Sequence, residues 1–172
     1  VPTLMIFGCQ RSGTTLLSGI FDRLLNTRVF GEYSSLSDQC QWKIRLNGID
    51  NVKRKLSKVN ARLIVMKPLV ESQNASYLLK ELAPSYAIWI YRHYLDVALS
   101  DIKQFSETAG HGNLLPIIED EVTNWRMENL SQEVVNTVKK IYSPALSPLE
   151  CACLFWYVRN SLFFSQDLDK NE

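Results

Sequence analysis

Five consecutive residues, Arg11-Ser12-Gly13-Thr14-Thr15, put a cation, three hydroxyls and a glycine into one short stretch of chain. The apolar run from Leu4 to Gly8 comes before them and a leucine-rich segment follows, a pattern that predicts a buried strand, a tight loop and the start of a helix. Backbone N–H groups at a helix N-terminus point outward and carry partial positive charge. Such a loop can cradle a phosphate or a sulfate. Arg11 adds a full charge, and the Thr14 and Thr15 hydroxyls add donors. The chemistry these residues suit is nucleotide binding.

Gly8 and Gly13 have the spacing of the ATP-type phosphate loop, G-x-x-x-x-G-K-[ST], but Thr14 stands where that loop carries Lys. The cation comes earlier, at Arg11. An ATP-dependent P-loop phosphotransferase also needs a metal-holding Asp at the end of an apolar strand. The corresponding ends here carry Lys67 and Arg92. That reading stays as an alternative, beside a domain that binds a nucleotide without catalysis.

A second constellation lies in Trp89–Ser100. Arg92 closes a predicted strand, and Ser100 follows eight residues later on the next predicted helix. A guanidinium and a hydroxyl so placed can grip one phosphate together; alternatively, Arg92 pairs with Asp96 and Ser100 faces solvent. Two further residues fall at predicted strand ends, Glu32 after Arg28–Phe30 and Lys67 after Arg62–Met66. Lys67 can reach the reacting groups or pair with Glu71. A transfer reaction needs a base; Glu32 is the leading candidate, with His93 and His111 as rivals.

These residues need a frame. Strands are predicted at Leu4–Gly8, Arg28–Phe30, Arg62–Lys67 and Tyr86–Tyr91, and helices over 13–25, 72–82 and 96–105. In the first helix, Leu16, Leu17, Ile20, Phe21, Leu24 and Leu25 form an apolar face. Gly110-His111-Gly112 reads as a loop long enough to be a lid. Ser147-Pro-Leu-Glu150 is a capping box that opens a final helix with Leu154, Phe155, Val158, Leu162 and Phe163 on an apolar face suited to core packing. The alternation predicts an α/β fold with a mostly parallel sheet. Parallel sheets bind ligands beyond the carboxyl ends of their strands, where Gly8, Glu32, Lys67 and Arg92 all fall.

A chain of 172 residues suits one domain. Between Lys43 and Lys67 stand eight basic residues against Asp50 alone; from Asp101 onward, eleven acids face six bases. The basic run is a solvated helix face or an attractor of anions. Its sole interleaved aromatic is Trp42 and net charge is +1, so nucleic-acid binding ranks last. Cys9, Cys40, Cys151 and Cys153 have no metal-ligand spacing and read as free thiols, which favours a cytoplasmic location. No run of eighteen apolar residues could span a membrane.

The loop Arg11–Thr15 resembles the 5′-phosphosulfate loop of sulfotransferases that use 3′-phosphoadenosine 5′-phosphosulfate (PAPS). Arg92, Asp96-Val97 and Ser100 resemble their 3′-phosphate site. Lys67-Pro-Leu, Asn124-Trp-Arg126 and Phe155–Asn160 look like further segments of bacterial-type members, so the resemblance covers most of the chain, with the two nucleotide motifs its specific part. It implies a P-loop-type three-layer α/β fold with helices flanking a mostly parallel central sheet. It implies PAPS as co-substrate, adenosine 3′,5′-bisphosphate (PAP) as product, no metal, and a small-molecule or carbohydrate acceptor. Ser12, Gly13, Thr14 and Thr15 would then hold the 5′-phosphosulfate, and Arg92 and Ser100 the 3′-phosphate. Arg11, where cytosolic members carry Lys, would stabilise charge on the leaving phosphate. Glu32 lies near the catalytic Glu of tyrosyl-protein and glycosaminoglycan members. Cytosolic members place a His after the third strand, where this chain has Pro68-Leu69. Family members continue with a further strand ending in Tyr-Glu, so residues 1–172 are expected to be a single sulfotransferase-like domain lacking its C-terminal part.

Overall fold

The computed structural model describes residues 1–37 and 44–170; Cys40, Trp42 and Lys43 lie outside the described residues. The chain forms two compact units, residues 1–8 with 13–90, and residues 9–12 with those from 91 onward. The architecture is α/β, with one four-stranded, all-parallel sheet and seven α-helices among the described residues.

The first unit holds β1 (Thr3–Gly8), β2 (Thr27–Phe30), β3 (Leu63–Met66) and β4 (Ser85–Ile90), in spatial order β2-β3-β1-β4. Its helices are α1 (Thr14–Phe21), α2 (Ile49–Leu56) and α3 (Ala75–Glu81), with a 3₁₀ turn at Leu69–Asn74. Met5, Ile6 and Phe7 of β1 and Ile64, Val65 and Met66 of β3 are buried, the near-continuous apolar run that interior strands of a parallel sheet require. The register pairs Met5 with Met66 and Gly8 with Ile90. Because all strands run the same way, their C-terminal ends share one edge.

Gly8 sits at φ 134, and a Cβ built there would lie 2.5 Å from the Ile90 carbonyl oxygen. Both its backbone conformation and its closeness to β4 therefore demand glycine. Ser72 ties the same strand end to the 3₁₀ turn: its Oγ accepts the Gly8 N–H at 3.3 Å and donates to the Leu69 carbonyl at 2.7 Å.

Two features of this unit differ from the sequence reading. The helix expected over 13–25 ends at Phe21, and Leu16 (74% exposed), Ile20, Leu24 and Leu25 face outward. Thr14 and Ser18 are the buried side instead. Ser18 can be buried because its hydroxyl donates to the Thr15 carbonyl at 3.0 Å, leaving no orphan group. Asn26, at φ 60, then turns the chain into β2, and its carbonyl accepts the Arg62 N–H at 2.7 Å. The helix expected over 72–82 begins as the 3₁₀ turn and becomes α-helical only at Ala75.

The second unit contains α4 (Tyr94–Gln104), α5 (Ala109–Ile118), α6 (Gln132–Ile141), α7 (Pro148–Ser165) and a 3₁₀ turn at Leu168–Lys170. Leu114, Ile117, Val134, Val138, Phe155 and Val158 build its core. The capping box forms as expected: Ser147 Oγ accepts the Glu150 N–H, and Glu150 accepts the Ser147 N–H at 2.7 Å. The Gly110–Gly112 stretch is not a loop. It lies in α5, where Gly110 lets α5 approach α7 so closely that a Cβ would lie 2.8 Å from the Cys151 Cβ. His111 is a strut of that packing, 3.3 Å from the Tyr142 hydroxyl and 3.1 Å from the Leu146 carbonyl.

Gly8→Ala is expected to destabilise the fold by about 2 kcal/mol or more, since it adds a positive-φ strain to a backbone clash. Urea denaturation of the variant against the parent chain measures it.

Candidate functional site

In the first unit, chemistry gathers on the C-terminal edge of the sheet. Lys67 follows β3 directly, and its backbone N–H donates to the Phe30 carbonyl at 2.9 Å, which prolongs the β2–β3 pairing. The residue is only 8% exposed. Its Nζ donates to Thr15 Oγ1 at 3.0 Å and pairs with Glu32 Oε2 at 3.0 Å. One ammonium thus bridges a hydroxyl from the first turn of α1 and a carboxylate just beyond β2.

The alternative pairing of Lys67 with Glu71 does not form. Glu71 receives Arg45 Nε at 2.6 Å, the Leu46 N–H at 3.0 Å and Asn74 Nδ2 at 2.9 Å. Glu71 belongs to the 3₁₀ turn and clamps the segment around Arg45, which leaves Lys67 for the sheet edge. Gly13, at φ 99, opens α1 at its left-handed N-cap. Thr14 is buried and Thr15 is exposed.

The second unit has its own polar cluster, made by the loop residues 9–12 and the segment from Tyr91 to Asp101. Arg11 Nε donates to Ser100 Oγ at 3.0 Å. Arg92 Nη1 donates to the Arg11 carbonyl at 3.3 Å, and Arg92 Nε lies 3.6 Å from Asp96 Oδ2. Trp156 Nε1 fixes the backbone here by donating to the Arg92 carbonyl at 3.0 Å. The Arg92–Asp96 pair exists, yet Ser100 does not face solvent unoccupied: it accepts Arg11. His93 stacks on the Tyr94 ring with centroids 4.5 Å apart.

Two buried oxygens of this cluster, Ser12 Oγ and Asp101 Oδ1, have no hydrogen-bond partner among the described residues. Buried polar groups are ordinarily satisfied, so both are available to a ligand or water. Burial pushes the Asp101 carboxyl above its ordinary range, against the opposing pull of the Gln10 side-chain hydrogen bond and the Arg11 charge. Burial likewise pushes the Cys9 thiol up to about 12, with Arg159 drawing it down and Asp101 adding to the rise. A thiol held protonated in this way is a packing group.

Glu32, Lys67 and Thr15 are thus brought together in one unit, and Arg11, Arg92 and Ser100 in the other. Sequence reasoning missed Ser72, Gln10, Asp101 and Trp156. Of these, only Asp101 carried a signal, its place next to Ser100. Among the described residues no three His, Cys, Asp or Glu side chains gather as a metal-binding group, and no helix is long and apolar enough to cross a membrane. Comparison with protein-family models, curated proteins and solved structures finds no match to this chain.

Asp101 gives the site a pH signature. A carboxyl raised above the ordinary 3.8 in the fold binds its proton more tightly folded than unfolded. It therefore costs stability as pH climbs from the unfolded-state value through the folded-state one. Asp101→Asn abolishes that titration. The unfolding free energy of the variant relative to the parent is expected to grow as pH rises from about 3.8 and to level off once Asp101 is ionised in the fold. Denaturation curves across that range check it.

Proposed function

We propose that this chain is a PAPS-dependent sulfotransferase domain on a P-loop-type three-layer fold. It moves a sulfuryl group to a hydroxyl or amine of a small-molecule or carbohydrate acceptor. The observation that carries the reading is the Lys67 ammonium, 3.0 Å from both Thr15 Oγ1 and Glu32 Oε2. It puts a cation, a hydroxyl donor and a carboxylate base beside the helix that the glycine loop opens. The unpartnered Ser12 Oγ supports it as well, because a buried hydroxyl in that loop suits a phosphate oxygen.

PAPS, when bound, supplies an activated sulfuryl group joined to a phosphate leaving group. Ser12, Gly13, Thr14 and Thr15 hold that end through backbone N–H and hydroxyl donors. Arg92 and Ser100 hold the 3′-phosphate, and Arg11 brings further charge to the nucleotide. Lys67 neutralises the oxygens of the transferring group. That draws the ammonium from Glu32, whose carboxylate accepts the proton of the attacking acceptor hydroxyl or amine. The new S–O or S–N bond forms as the bond to the leaving phosphate breaks, and PAP departs with the electron pair. Positioning and charge stabilisation supply the rate, as in phosphoryl transfer. The free thiols Cys9, Cys151 and Cys153 agree with a reducing compartment such as the cytoplasm.

Calorimetry with PAP, with ADP as comparison, tests the nucleotide assignment. PAP is expected to bind at least tenfold tighter than ADP, and Arg92→Ala to abolish that preference. ADP binding equal to or tighter than PAP, with no effect of Arg92→Ala, would favour an ATP-type phosphotransferase. Catalysis is tested with PAPS and an acceptor panel. Glu32→Gln is expected to lower kcat by about 10²–10⁴-fold with PAP affinity retained, the usual range for loss of a general base. Unchanged turnover would remove Glu32 from the mechanism.

A further inference from the structure

The second unit carries a groove whose chemistry differs from that of its polar cluster. One wall is Glu150, Cys153, Leu154 and Tyr157 of α7, spaced i, i+3, i+4 and i+7, so the four share one stripe of the helix. Ile141 of α6 and Leu146 of the connection face them across a volume of about 440 Å³. The groove exists because the apolar stripe of α6 outruns its cover. Val134 and Val138 are buried, yet Ile141, next along that stripe, is 51% exposed. The chain leaves the helix at Tyr142, and α7 starts only at Pro148.

Glu150 is the one charged side chain among the described residues that line the groove. The capping box holds its carboxylate in place: Oε2 accepts both the Ser147 O–H and the Ser147 N–H at 2.7 Å. Those bonds, the hydroxyl's first, keep the carboxyl below its ordinary range, so it is anionic at neutral pH. Both fall on Oε2, which leaves Oε1 for another donor. The Cys153 thiol is pushed up instead, by burial and then by the Glu150 charge. It stays protonated and lines the groove as a small apolar group. A hollow of this size with mostly apolar walls suits a small organic molecule. With one fixed negative charge at its edge, it complements an apolar body bearing a single ammonium, and it repels an anion of the same shape.

We infer that the groove between α6 and α7 binds a small amphipathic amine, its apolar body against Ile141, Leu146, Leu154 and Tyr157 and its ammonium at Glu150. The apolar walls supply most of the affinity. The exposed carboxylate decides which sign of charge enters, and by a modest factor, because an ion pair in water contributes little. The inference stands apart from the sulfotransferase reading and needs none of its residues.

The test uses 4-phenylbutylamine and 4-phenylbutyrate on the full chain at neutral pH. The two share an apolar body and differ in the sign of their charge. NMR titration gives the Kd values. Protection of Cys153 from iodoacetamide, read by peptide mass spectrometry, locates the ligand. The amine is expected to bind saturably, to slow Cys153 labelling and to bind about fivefold tighter than the carboxylate. Glu150→Gln keeps the capping box, which accepts either residue, and should bring the ratio of the two Kd values to about one. Cys153→Phe fills the groove and should abolish binding of both probes; Thr137→Phe fills it from α6 should the first variant fail to fold. Three results each overturn the inference: no saturable binding of the amine, binding that survives filling of the groove, or a preference for the amine that the parent lacks or Glu150→Gln retains.

Discussion

The parallel pairing of β1 with β3 on one side and β4 on the other is the constraint on which the first unit depends. Parallel neighbours cannot be joined by a tight turn, so each connection must cross over through other structure. That requirement places α1 after β1, α2 before β3 and α3 before β4. It also sends every strand to the same edge. Thr15, Glu32 and Lys67 come from three separate stretches of sequence, yet they meet within hydrogen-bond range because each stretch starts from that edge. Gly8 marks how tightly the condition is met, since β1 and β4 close without room for a single methyl group between Gly8 and the Ile90 carbonyl.

The two units treat their cations differently. In the first, basic residues of the charged run lie in short pairs with carboxylates: Lys53 with Glu81 at 2.6 Å, Arg45 with Glu71 at 2.6 Å and Lys67 with Glu32 at 3.0 Å. These three charges help to fasten the unit, while Arg54, Lys58 and Arg62 of the same run are exposed. Only Lys67 among the three paired cations reaches a residue of α1, Thr15. In the second unit, Arg11 and Arg92 bond to a hydroxyl and a carbonyl, and the carboxylate beside Arg92 stands off at 3.6 Å.

Much of this was legible in the sequence where local chemistry decides structure. Three of the four strands are apolar runs, ended by Gly8, Pro68 and Arg92, β2 is a short mixed segment, and the capping box at Ser147 marks the start of α7. Glu32 and Lys67 were found because strand ends in a parallel sheet converge. What failed depends on packing across distance. The leucines of α1 have helical spacing, but Thr14 and Ser18 are the face that turns inward. Gly110 and Gly112 look like loop residues until the approach of α7 is known, after which Gly110 is needed for helix contact. Asp101 illustrates the limit well. Nothing in an Asp after a Ser tells of burial, and only the fold of Cys9–Ser12 against α4 makes it an interior group.

The separations along the chain add a kinetic consequence. Lys67 and Thr15 are 52 residues apart, Gly8 and Ser72 are 64 apart, and Arg11 and Ser100 are 89 apart. Each of these bonds closes a long loop, and the entropy of closure must be met before the contact contributes anything. Helices such as α6 and α7 can form from neighbours alone, whereas the polar clusters wait for distant segments to arrive. During synthesis the Arg11 side chain emerges long before Ser100 exists. The loop at Arg11 therefore stays unset until the segment that carries Ser100 has been made and has folded back on it.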